Sequence, residues 1–229
     1  MATIRFVITK IWRGFLDYLC AHPFSVMALA NIVGDLCYVG FAFDAPHGVS
    51  YPKLCGAAFT IAAHIILLAH GDDEMRRVAD ESGRVAQCVL ALRGWANASL
   101  ILLPPLLRRW AKWRPVALSF GVLALNGAGL LVDAVFSMGS APDFAMMTQA
   151  ALGLFIMIGC MAFVAADCVR SQTVSDVFLK LGPTAFLAAT VFSGGLALQT
   201  RNIFLICGVL AFGLSNLAGF YTRIDKDAP

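Results

Sequence analysis

The residues best able to do chemistry are few, and they lie where charge is costly. Asp35 sits near the middle of an otherwise apolar run, 24–43, with Asn31 one helical turn before it and Tyr38 three residues after it. On a helix these three side chains share one face. Thr60 and His64 are four apart, as are Arg93 and Asn97, while Asn126 and Asp133, like Asn216 and Arg223, are seven apart. Each pair can turn inward together, away from lipid. Ionisable groups inside apolar spans face a bundle interior, a watery cavity or a partner, and they mark ion and solute paths. Asp35 could pair with Arg93, or hold a proton or a cation. Histidine changes charge near neutral pH, so His64 could relay a proton. Asp35, Asn31, Arg93, His64, Asn126 and Asp133 are therefore the candidate binding residues.

Three of the apolar runs carry N-x-x-G, as Asn31/Gly34, Asn126/Gly129 and Asn216/Gly219, in a chain with only five asparagines. Two readings stand side by side. Ala30/Gly34, Ala124/Ala128 and Ser215/Gly219 are small-xxx-small pairs that let helices pack closely, and asparagine can hydrogen-bond across a helix interface. The same amides could line a binding site, and internal repeats are frequent in transporters. Ser193, Gly194 and Gly195 could loosen a helix or admit close backbone approach.

The elements that must position these groups follow from composition. Hydrophobic residues are 59% of the 229-residue chain and charged residues 14%, with mean hydropathy +0.78. Soluble domains are about 45–50% apolar and about 25% charged. The expected fold class is an all-α polytopic membrane protein with about seven transmembrane helices. Seven stretches reach the roughly 20 apolar residues a span needs: 24–44, 51–70, 86–107, 116–138, 145–167, 181–199 and 202–221. Residues 1–22 place Lys10, Arg13 and Asp17 on one face and Phe6, Ile11, Trp12, Phe15 and Leu19 on much of the rest, which suits an amphipathic interfacial helix. An eighth span over 4–22 is the alternative, at about 2.5–3.5 kcal/mol for a charge held at mid-membrane. The organisation expected is that N-terminal helix, one membrane domain over 23–222, and a polar tail, 223–229. The charged 70–84 loop reads as a solvated rim.

Orientation is in conflict in a seven-span chain. The stretch "RRWAKWRP" at 108–115 packs four positive charges between tryptophans, as a cytoplasmic anchor would, and puts the C-terminus in the cytoplasm of a bacterial inner membrane. Seven spans then put Arg5, Lys10 and Arg13 outside.

Chemistry of other classes lacks its signature. There is no H-E-x-x-H, G-x-S-x-G, P-loop or GxGxxG motif. A haem needs axial ligands, and His64 is the only mid-span histidine. No span holds a mid-membrane lysine for a Schiff base. The seven cysteines are scattered, without C-x-x-C, and read as small apolar fillers. A net charge of +3 speaks of membrane orientation rather than nucleic acid. No cofactor is expected. The expected partners are the lipid bilayer and other membrane proteins or further copies of the chain. The function expected is a transporter or channel with a polar intramembrane path. A non-catalytic subunit or scaffold of a membrane complex is the alternative, and an electron-transfer or enzyme subunit the second.

Overall fold

The computed structural model describes residues 2–43, 51–71, 84–137, 144–222 and 224. Within them the chain is helical, with no strand. The helices are α1 (Ala2–Ala21), α2 (Pro23–Phe43), α3 (Tyr51–His70), α4 (Arg84–Ser99), α5 (Pro105–Trp113), α6 (Pro115–Ser137), α7 (Phe144–Cys168), α8 (Gln172–Thr200) and α9 (Ile203–Gly219). Residues 44–50, 72–83, 138–143, 223 and 225–229 and the side chain of Asp133 lie outside the description.

Prolines open α2, α5 and α6, where a missing N–H leaves nothing unsatisfied. Asn202 caps α9, its side-chain oxygen accepting from the N–H of Phe204 at 2.9 Å and of Leu205 at 3.2 Å. Ser171 caps α8 in the same manner.

Six helices close a ring in chain order. α2 packs on α3, α3 on α6, α6 on α7, α7 on α8, α8 on α9, and α9 returns to α2. Neighbours run antiparallel, so α2, α6 and α8 begin at one end, here the proximal end, and α3, α7 and α9 begin at the distal end. Small residues set the spacing. At α6 and α7, Gly127 and Gly153 face each other so closely that a Cβ on Gly153 would lie 2.7 Å from the Gly127 carbonyl oxygen. At the closure, a Cβ on Gly34 would strike the Phe212 ring at 2.6 Å. The proximal half is solid. Phe120 stacks on Phe163 with centroids 4.2 Å apart, and Phe24, Met27, Leu67, Leu179 and Ala218 fill the space around them.

Among the described residues four helices are long and apolar enough to cross a membrane, over Pro23–Phe41, Pro115–Val132, Met146–Cys168 and Gln172–Thr200. Leu54–His70 in α3 and Ile203–Gly219 in α9 are apolar but shorter. The stretch expected as a third span, 86–107, is not one helix. α4 ends at Ser99, a 3-10 turn covers Leu100–Leu102, and α5 starts only at Pro105. The cause is local. Leu103 and Pro104 each precede a proline, and a residue before proline is driven out of the helical region. Both are extended, with ψ 146° and 145°. Arg108 bridges the break, its guanidinium donating to the carbonyls of Ile101 at 3.0 Å and Leu103 at 3.1 Å. α4 and α5 pack outside the ring on α3 and α6, with the Asn97 amide reaching the Ala69 carbonyl at 3.5 Å. α1 continues into α2 through the His22-to-Tyr18 and Val26-to-His22 backbone bonds, and among its described side chains Phe15, Tyr18 and Leu19 reach the core.

Candidate functional site

The helical spacing read from the sequence brings polar groups to the inner wall of the ring. On α2, Asn31 and Asp35 share a face one turn apart, and antiparallel packing sets His64 of α3 opposite both. The Asn31 amide nitrogen lies 2.9 Å from His64 Nε2, and His64 Nδ1 lies 3.1 Å from Asp35 Oδ2. An imidazole that accepts from Asn31 at Nε2 carries its proton on Nδ1 and donates it to the carboxylate. Asp35 and His64 are buried, 6% and 3% exposed, so each supplies the polar partner the other needs.

This network forms part of the wall of a cavity of about 620 Å³. Its lining comes from residues 31–41 of α2, 55–64 of α3, 123–130 of α6, 148–156 of α7, 186–196 of α8 and 204–216 of α9. On antiparallel helices those ranges all fall in the middle and distal part of the ring. The molecule is thus hollow distally and solid proximally, with Asp35 and His64 towards the floor of the hollow.

All three asparagines of the repeated motif line this cavity. Asn126 lies against α3, where a Cβ on Gly56 would come within 2.6 Å of its Oδ1. Asn216 donates to the Thr190 hydroxyl at 2.7 Å, and Thr190 donates to the Phe186 carbonyl at 2.9 Å. The motif's glycines do different work. Gly34 admits the Phe212 ring, Gly219 sits against Pro183 and Met27, and Gly129 faces open space at the cavity. Packing and cavity lining, set as alternatives from the sequence, are here combined in one motif: its asparagines, Gly34 and Gly129 line the cavity, and Gly34 and Gly219 also sit in close helix contacts.

Of the six candidate binding residues, Asn31, Asp35, His64 and Asn126 come together at one cavity. Arg93 does not line it. It is buried on α4, outside the ring, and the Asp35 carboxylate meets His64 instead. The side chain of Asp133 lies outside the described residues. Sequence reasoning passed over Thr148, Gln149 and Thr190 and read Ser193 only as a helix-loosening residue, yet all four line the cavity. Polar residues inside apolar runs were the available signal. It also missed Asp167, which clamps the proximal end. There the Arg114 guanidinium donates to the Asp167 carboxylate at 3.0 Å and to its backbone carbonyl at 2.6 Å, and the Ala117 N–H donates to Oδ2 at 3.0 Å. A carboxylate at the first turn of α6 suits that helix's positive end.

Fold and site define a class: an all-helical protein of apolar helices closed around a cavity with a polar floor. Compared with known proteins, the chain matches no family model, no curated protein and no solved structure significantly.

Proposed function

We propose that the protein is a membrane carrier for a small organic solute, bound in the central cavity and held by the Asn31–His64–Asp35 network with Asn126 and Asn216. The observation that supports it is the cavity itself. A volume of about 620 Å³ lies within the roughly 300–1,000 Å³ of small-molecule sites, and such sites join apolar walls to a few convergent polar groups. A ring hollow on one side and packed on the other is also the asymmetry of a carrier caught with its site open to one face. The Arg114–Asp167 clamp is then the closed side.

In this reading six helices cross the bilayer: α2, α3, α6, α7, α8 and α9. The 17-residue apolar helices Leu54–His70 and Ile203–Gly219 are at the short end of what spans. With 86–107 not crossing, both termini fall at the proximal end, and the orientation conflict of a seven-span chain disappears. Lys10, Arg13, Arg108, Arg109, Lys112, Arg114, Arg170 and Lys180 then belong to that end, and Lys53 and Arg201 to the other. The positive-inside rule makes the proximal end cytoplasmic and the cavity outward-facing, in a bacterial inner membrane.

The test is uptake of a panel of amines, carboxylates and sugars into liposomes holding the purified chain. The reading expects saturable uptake of at least one class, lost in Asp35→Asn while the variant stays folded by thermal unfolding. Uptake equal to empty liposomes across the panel, with a stoichiometric protein partner recovered in mild detergent, would replace the carrier by a complex subunit.

A further inference from the structure

We infer that the solute is an amphiphilic organic cation, and that it enters in exchange for a proton held on the Asp35–His64 pair. This rests on the carrier reading above and names its substrate class.

Charge carries the first part. Among the described residues the cavity wall has one carboxylate, Asp35, and no lysine or arginine. Its other titratable lining groups are Tyr38 of α2 and Cys55 and His64 of α3. The lining of α6, α7, α8 and α9 brings amides and hydroxyls and otherwise apolar groups. The fixed charge available to a ligand is therefore negative. Around it stand Tyr38, Phe41, Phe59, Phe186, Phe204 and Phe212. Aromatic faces attract cations and bury apolar groups, so one wall serves both halves of a lipophilic cation. An anion would meet Asp35 with no lysine or arginine among the described lining residues to offset it.

The network carries the second part. His64 engages a single carboxylate oxygen, Oδ2, and its other nitrogen meets Asn31. In the proton-loaded state the pair holds one extra proton. His64 is then an imidazolium donating to Asp35 from Nδ1 and, with the Asn31 amide turned, to Asn31 Oδ1 from Nε2. When a cation arrives beside Asp35, the Nε2 proton leaves to cavity water. The imidazole stays neutral with its Nδ1 proton on Asp35, and Asn31 turns back to donate to Nε2. An amide can serve both states because it offers a donor and an acceptor on one pivot. Carboxylate plus imidazolium carries no net charge, and neither does carboxylate plus neutral imidazole plus ligand cation. One cation in for one proton out keeps the buried site neutral in both states, which low-dielectric surroundings favour.

The experiment uses the purified full-length chain with three probes of similar shape and different charge: tetraphenylphosphonium, tetraphenylborate and triphenylphosphine oxide. Binding is measured by equilibrium dialysis against protein-free detergent, and proton release with a pH dye in weak buffer. The inference expects saturable binding of tetraphenylphosphonium alone, tighter as pH rises, with protons released. Asp35→Asn weakens it by about 10- to 100-fold, the worth of a charge-assisted contact. His64→Gln binds the cation with no proton release and a flat pH dependence. Size-exclusion profiles and unfolding temperatures confirm that both variants are folded. Equal binding of the neutral oxide or the borate overturns the cation class, and binding without proton release overturns the exchange. Binding of none of the three overturns the inference. In each of these cases the uptake panel still decides the carrier reading separately.

Discussion

Two aspartates of nearly equal burial show how differently the ends of the ring use a carboxylate. Asp35 is 6% exposed and Asp167 is 7% exposed. Asp167 is tied to a group that is always charged, the Arg114 guanidinium, and to an N–H in the first turn of α6. Both partners are fixed, and the result is a joint between α6 and α7. Asp35 is set against a histidine, whose charge can change, and beside open volume rather than packed side chains. Desolvation makes both positions expensive. One site offsets that expense by permanent neutralisation and so stabilises a geometry. The other sets its charge against a group whose own charge can change and leaves open volume beside it.

The contrast can be broken in order of expected effect. Asp35→Asn is expected to reduce solute uptake by about 10- to 100-fold with stability changed by less than about 1 kcal/mol. A large loss of unfolding free energy would make Asp35 a structural group like Asp167. Asp167→Ala is expected to do the reverse. It removes the partner of Arg114 and the helix-end carboxylate, lowering stability by about 1–3 kcal/mol in denaturant titration while ligand affinity at the cavity holds. Asn216→Ala deprives Thr190 of its donor and is expected to cost about 0.5–1.5 kcal/mol of stability together with a loss of affinity. Gly56→Ala places a methyl 2.6 Å from Asn126 Oδ1, so Asn126 must shift. A change in affinity of only a few-fold, about 0.5–1 kcal/mol, is expected, with unfolding nearly unchanged. Unaltered binding there would remove Asn126 from the site.

The parts legible in sequence were those fixed by helical period. Asn31 and Asp35 had to share a face of α2, as Thr60 and His64 did on α3, and hydropathy alone placed most of the apolar helices. What joined the two faces was not legible. The Asp35–His64 contact depends on α2 packing beside α3 in one particular register, and no local pattern states that register. Arg93 was misplaced for a different reason. Pro104 and Pro105 stand inside the stretch expected as a span. Read on hydropathy, the surrounding leucines still suggested a span. Two consecutive pre-proline residues instead extend the chain, and α4 stays outside the ring with its arginine. Asp167 was hidden because it lies at the boundary of an apolar run, 145–167, where a charge is unremarkable by composition.

The central claim is that water reaches the Asp35 cavity from one face of the membrane and not the other. Cys55 lines the cavity and is exposed, so it can report this directly once the other six cysteines are replaced. A membrane-impermeant maleimide would be applied to intact cells, and separately to inside-out vesicles. The account predicts modification of Cys55 from the outer face alone, slowed when a bound ligand fills the cavity. Absence of modification from either face, with the denatured chain reacting fully, would contradict it.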